Sequence, residues 1–147
     1  MSGAKSVPFA TTLLVRDHCL CLAVQRAARS LARLFDDAFR PLDLTSGQFS
    51  LLMSLNRPNP PAIKDVAELL AMDRTTLTAA LKPLTRRGLV TIAIDKEDRR
   101  SRRLQLTADG EALLAKAVPV WKRTHAILDK KLGRHAEGLR KGLVALD

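Results

Sequence analysis

Cysteine is nearly absent: the 147-residue chain has two, Cys19 and Cys21, only two positions apart. Such a pair builds no disulfide framework and fits a reducing compartment. Glycine and proline, seven of each, are too few to interrupt apolar residues that recur at helical spacing, so extended disorder is excluded. No apolar run approaches the roughly 18 residues of a membrane span. The first ten residues have one lysine and no apolar stretch before a small-residue cleavage site, so they do not read as a secretion signal. A cytoplasmic protein is expected. The parts of a catalytic centre are missing too: there is no Ser, His and Asp motif, no glycine-rich phosphate loop and no acid pair on one face. Three scattered histidines offer no ligand set. Neither an enzyme nor a metal or cofactor is expected. Acids are outnumbered, 15 against 25 Lys and Arg, which gives a charge of +10 and a pI near 10.4. That balance calls for a polyanionic partner.

What is present suffices for one modest core, with 46% hydrophobic residues. From Thr11 to Phe39, Leu20, Val24, Ala27, Leu31, Leu34 and Ala38 follow steps of four and three, which predicts one long helix closed by Pro41. Thr45 and Gln48 have the form of a capping box opening a helix through Phe49, Leu52, Met53 and Leu55. Pro58, Pro60 and Pro61 then require a loop. Two short helices follow, Ile63 to Leu70 and Arg74 to Arg87, at helix-turn-helix spacing. Asp73 is suited to cap the second, while Arg86, Arg87 and Gly88 mark its end and Pro83 predicts a kink.

Alternation at Val90, Ile92 and Ile94, and again at Leu104 and Leu106, predicts two antiparallel strands. The tip between them, Lys96-Glu97-Asp98-Arg99-Arg100-Ser101, has no apolar anchor. Thr107 caps a helix kinked at Pro119 that presents Leu113, Leu114, Ala117, Val118, Trp121, Ile127 and Leu128, and Gly133 separates a last helix, Arg134 to Leu146. The expected fold is mainly α with a small two- or three-stranded antiparallel β-wing: a DNA-binding winged helix-turn-helix over 45–106, and a helical dimerisation region over 11–40 and 107–147. The long terminal helices have too little domain to cover them, so a homodimer is expected.

A helix fits the major groove, and a ribbon tip reaches the neighbouring groove or backbone. From Lys82 to Arg103 there are eight Lys or Arg against three acids, suited to phosphate neutralisation. On the second helix Leu77, Leu81 and Leu84 form the buried stripe, leaving Arg74, Thr75, Thr76, Thr78 and Lys82 for base edges. Arg86 and Arg87 fit either phosphate contact or solvated cations at a helix end.

Three runs carry a resemblance: DVAELLAMDRTTLT from Asp65 to Thr78, LKPLTRRGLV from Leu81 to Val90, and DRRSRRLQLTADG from Asp98 to Gly110. Together they resemble the MarR family of bacterial transcription regulators, over about Cys19 to Leu132. The resemblance implies a dimer of winged helices on double-stranded DNA at a pseudo-palindromic operator, often repressing until a small-molecule effector binds. It also implies that Asp98 pairs with Arg100 to shape the wing, leaving Arg99 and Arg102 to meet DNA. Ala79 and Ala80 depart from the family, whose members with this recognition helix often carry Arg-Asn there. Operator preference is therefore not carried over.

The run LCLAVQRAAR from Leu20 to Arg29 resembles the segment that holds the reactive cysteine in the organic-hydroperoxide-sensing branch of the family, with Cys21 in that place. That branch restrains its thiolate with tyrosines four and fourteen residues later; here Gln25 and Phe35 stand there, and the chain has no tyrosine. Cys21 fits either a peroxide-sensing thiol or a buried small hydrophobe on a stripe with Gln25 and Phe35. On one helix Cys19 and Cys21 would lie about 200° apart and could not bond each other. A thiol peroxidase lacks a resolving cysteine. His18 fits a pocket lining or an ordinary surface histidine, and Trp121 fits packing or pocket lining. Arg16, Arg26, Arg29 and Arg33 suggest a small aromatic acid as effector, solvated helix charge being the plain alternative. The other class in view is a sequence-indifferent basic architectural protein that compacts DNA.

Overall fold

The computed structural model describes residues 6–147, and the chain divides after Leu34 into two compact units. In the first unit α1 (Phe9–His18) is followed by the start of α2 (Leu20–Phe39). The single helix expected over this stretch is broken at Cys19, whose backbone is extended (φ −76°, ψ 108°). Its amide still closes the last turn of α1 on the Val15 carbonyl at 2.9 Å. Its thiol sulfur accepts the Leu22 N–H at 3.4 Å, and its carbonyl accepts the Ala23 N–H at 3.1 Å. Cys19 thus takes the part that Ser or Asp usually plays at a helix start, supplying an acceptor for a free first-turn amide. Cys19 and Cys21 therefore do not sit on one continuous helix. The predicted stripe of α2 is largely uncovered: Leu20, Leu31 and Leu34 are exposed, and only Phe35 and Phe39 of this helix are buried.

The second unit holds the remaining elements: α3 (Ser46–Ser54), α4 (Ile63–Leu69), α5 (Arg74–Arg86), β1 (Val90–Ile94), β2 (Arg102–Leu106), α6 (Ala108–Leu132) and α7 (Ala136–Val144). The capping box at α3 is formed: Thr45 Oγ1 accepts the Gln48 N–H at 3.1 Å, and Gln48 Oε1 accepts the Thr45 N–H at 3.0 Å. α5 runs through Pro83 and α6 through Pro119. The last helix starts two residues later than expected, because Gly133–His135 forms a turn of 3₁₀-helix.

α4 and α5 are joined by a turn in which Ala71 adopts the left-handed conformation, φ 51°. A Cβ is unfavourable there. Ala71→Gly is therefore expected to raise stability by about 0.5–1 kcal/mol, read as a higher denaturation midpoint at unchanged slope.

The core gathers around the inner face of α5. Leu77, Leu81 and Leu84 are fully buried with Phe39, Leu52, Val66 and Leu104, each such side chain contributing about 1.5–3 kcal/mol. Beside them five rings close a circuit: Phe39 stacks on Phe49 at 4.8 Å, Phe49 faces Trp121 at 6.5 Å, and His125 sits 4.4 Å from Trp121 and 4.9 Å from Phe35, which returns to Phe39 at 6.0 Å.

β1 and β2 pair antiparallel from Val90↔Leu106 to Ile94↔Arg102. The sheet has two strands; the third partner reduces to one bridge, Ala62↔Arg103. Ile92 and Ile94, which the alternation puts on one face with the buried Val90, are exposed. Leu104, the partner of Ile92 across the ribbon, is fully buried, so the core covers β2 at this level and leaves the outer part of β1 open.

Candidate nucleic-acid interface

Asp73 fixes the start of α5. Its Oδ1 accepts the Thr76 N–H at 2.7 Å and its Oδ2 accepts the Thr76 hydroxyl at 2.8 Å. These bonds favour the ionised form and hold the Asp73 carboxyl below its ordinary value. Thr76 spends its hydroxyl on the cap, whereas Arg74, Thr75, Thr78 and Lys82 stand exposed.

At the other end of α5, Arg86 is exposed and, among the described residues, not ion-paired. Arg87 is held by the chain itself. Its Nη1 donates to the Asp43 carbonyl at 2.6 Å, and Nη2 lies 3.9 Å from the Asp43 carboxylate. The end of α5 is thereby tied to the loop before α3. Gly88, at φ 71°, turns the chain into β1.

The wing tip is folded on acids. Asp98 meets Arg100 through the backbone: its Oδ1 accepts the Arg100 N–H at 3.0 Å, and no guanidinium is paired with it among the described residues. The guanidinium of Arg102 closes the turn on the Arg99 carbonyl at 3.1 Å. Asp95, at the end of β1, is 8% exposed and was not legible as a site residue. Its Oδ1 accepts the Glu97 N–H at 2.8 Å, and its Oδ2 accepts from Nε of Arg103 at 2.5 Å. The amide bond from Glu97 and the Arg103 guanidinium hold its carboxyl below the ordinary value. Arg103, at the base of the tip, is thereby tied to this acid while its side chain stays partly exposed.

Between the wing and the helix pair lies a cleft of about 520 Å³ whose lining includes Lys64, Arg74, Thr78, Asp98, Arg100 and Arg102. The structure thus brings the start of α5 and the wing to one concave, basic surface. Lys82, Arg86 and Arg99 lie outside this lining. Trp121 lines a separate apolar pocket of about 420 Å³ with Phe49, Met53, Leu69, Leu70 and Val118. Phe35 is buried in the ring circuit. His18, Cys21 and Gln25 belong to the first unit. There His18 Nδ1 lies 3.1 Å from the Leu14 carbonyl, and Gln25 Nε2 donates to Cys21 Sγ at 3.3 Å. Cys21 is exposed in the single chain.

Because Asp73 and Asp95 titrate low when folded, the stability they contribute is complete above the ordinary carboxylate value of 3.8 and is lost as pH falls through their lower folded values. Asn at position 73 still caps but does not titrate. Asp73→Asn is expected to lose less melting temperature than the parent between pH 5 and pH 3, and melts at the two pH values check this.

Two helices at turn spacing, the second with a free polar face, and a two-stranded basic ribbon behind it define a winged helix-turn-helix, the DNA-binding class of fold. A model of the MarR family matches residues 44–101. The organic hydroperoxide resistance transcriptional regulator of Bacillus subtilis is 31% identical over 130 residues, which is 88% of this chain and 88% of that protein. The M. tuberculosis transcriptional regulator MosR, solved in complex with DNA, has a TM-score of 0.81 at 36% identity, covering 88% of this chain and 93% of that one. The transcriptional repressor CouR, solved on a 23-mer DNA duplex, has a TM-score of 0.78 at 30% identity, covering 90% and 94%. The chain belongs to the MarR family of transcription regulators. No helix of the described residues is long and apolar enough to cross a membrane.

Proposed function

We propose that the chain acts in the cytoplasm as a homodimeric repressor on a pseudo-palindromic operator. The observation that carries this reading is the shared basic cleft, in which Arg74 and Thr78 of α5 meet Arg100 and Arg102 of the wing. Seated with α5 in the major groove, Arg74, Thr75, Thr78 and Lys82 address base edges, while Arg86, Arg99, Arg100 and Arg102 meet phosphates or the minor groove. The MosR and CouR complexes with DNA support it. The helices of 11–40 and 107–147 pair the two copies. In support, Leu20, Leu31, Ile127, Leu139, Leu143 and Val144 are exposed in the single chain.

Release is assigned to a small effector that binds the two spacings of the recognition helices unequally. The pocket beside Trp121 is apolar and suits an aromatic body; a small aromatic acid is the class proposed. A second reading has Cys21 as a peroxide-responsive thiol. The exposed sulfur, its Gln25 contact and the likeness to the B. subtilis regulator favour it.

Fluorescence anisotropy against the gene's own upstream DNA and a scrambled duplex, at two salt concentrations, tests the proposal. A preference of about 10³-fold or more is expected of a regulator. Equal, salt-sensitive binding to both duplexes is the result of an architectural protein and overturns the reading. Phenolic and indolic acids that leave affinity unchanged count against the effector class. Peroxide release that survives Cys21→Ser disposes of the thiol reading.

A further inference from the structure

Asp95 and Arg103 sit between the two faces of the wing, lining both the cleft toward the helix pair and the hollow on the opposite side of the ribbon. Their bonds run in three directions. Asp95 holds the tip from inside, accepting the Glu97 N–H at 2.8 Å and the Asp98 N–H at 3.4 Å, while its own N–H donates to the Ser101 carbonyl at 3.1 Å. Arg103 crosses the ribbon to Asp95 through Nε, and through Nη1 it reaches the Pro60 carbonyl at 3.3 Å. Next to it the Leu104 N–H donates to the Pro61 carbonyl at 2.9 Å. Pro60 and Pro61 belong to the loop that leads into α4, so one guanidinium joins the wing tip, the wing base and the entrance of the helix-turn-helix.

We propose that Asp95 and Arg103 form a clamp that sets the angle of the wing against the helix-turn-helix, and that both are positioning residues for DNA binding rather than DNA contacts. The inference rests on the DNA-binding reading above. Charge alone predicts the opposite of what the clamp predicts. Asp95 is an acid on a surface meant for a polyanion, so its removal should tighten binding if only Coulomb attraction counted. With the clamp, removing Asp95 leaves the tip unsupported and weakens binding. Arg103 likewise has its charge matched by Asp95. A lysine there keeps the charge but not the fork that spans Asp95 and Pro60 at once.

The test uses Asp95→Asn, Arg103→Lys and the double variant, titrated by anisotropy with a labelled duplex of the gene's own upstream region at several salt concentrations. The clamp predicts about a 10-fold loss for each single variant. The double variant should be little worse than either, since one linkage is broken in all three. Arg103→Lys within twofold of the parent, or Asp95→Asn binding as tightly or more tightly, overturns the proposal. Thermal melts keep misfolding apart from repositioning.

Tryptic cleavage at the wing in the absence of DNA separates the clamp from the functional reading. The clamp predicts cleavage several-fold faster in Asp95→Asn and Arg103→Lys, and unchanged rates overturn it. A parent protein that binds no duplex overturns the DNA-binding reading and, with it, the positioning role; the cleavage rates still decide whether the linkage holds the wing.

Discussion

Gly110→Ala is expected to lower the melting temperature by about 10 °C, the loss of roughly 3 kcal/mol that overpacking against a rigid neighbour imposes on a domain of this size. A Cβ at this position would stand 2.1 Å from the Leu89 carbonyl oxygen, 3.1 Å from its carbon and 3.3 Å from Leu106 Cδ2. Two of these atoms are backbone and cannot rotate aside. Alanine's better helix propensity returns at most about 1 kcal/mol, so the clash decides the sign. Gly110 lies where α6 is fastened to the root of the wing: Thr107 Oγ1 donates to the Gly88 carbonyl at 2.6 Å, and the Thr107 N–H donates to the Leu89 carbonyl at 3.0 Å. DNA affinity should fall with stability, because the same displacement shifts the root of β1. Gly142→Ala is the control: apart from its chain neighbours and its own helix backbone no atom lies within 4 Å of a Cβ there, and it is expected to be neutral or slightly stabilising. Calorimetric melts of the two variants beside the parent check both signs.

Neutralising the tip, Arg99→Gln with Arg100→Gln, is expected to weaken DNA binding about 10- to 100-fold near 0.15 M salt and to make the salt slope shallower by about two. Both guanidinium groups are exposed, and among the described residues neither is ion-paired, so little folding stability is at stake. Melting temperature should stay within about 2 °C of the parent, since exposed substitutions away from packing have small effects. Anisotropy across a salt series checks this. A slope equal to the parent's would remove the tip from the interface and leave α5 as the whole contact.

These two expectations differ in how visible they were in the chain. Arg99 and Arg100 announce themselves, since a run of like charge without an apolar anchor must face solvent or a polyanion. Gly110 could be noted as part of a motif, but the reason for it could not, because the carbonyl it accommodates lies 21 residues earlier in the chain.

Local chemistry accounts for what was legible. The caps at Thr45, Asp73 and Thr107 each bond within three residues. The stripe of Leu77, Leu81 and Leu84 follows from helix period alone, and the strands from alternation. The break at Cys19 escaped because a thiol is a weak acceptor and an unusual cap, so the apolar period ran through it undisturbed. Ile92 and Ile94 escaped because period reports which residues share a face and not whether anything covers that face.

Composition, period and capping thus determined the order of elements, the helix-turn-helix, the basic ribbon and the polyanionic partner. Tertiary structure alone decided which arginines are free. Arg99, Arg100, Arg102 and Arg103 are equivalent as letters, yet Arg103 is turned to Asp95 and Pro60, and Arg87 is held by the Asp43 carbonyl 44 residues away. A guanidinium's role is set by the nearest oxygen in space, and only folding brings distant carbonyls and a buried carboxylate within its reach.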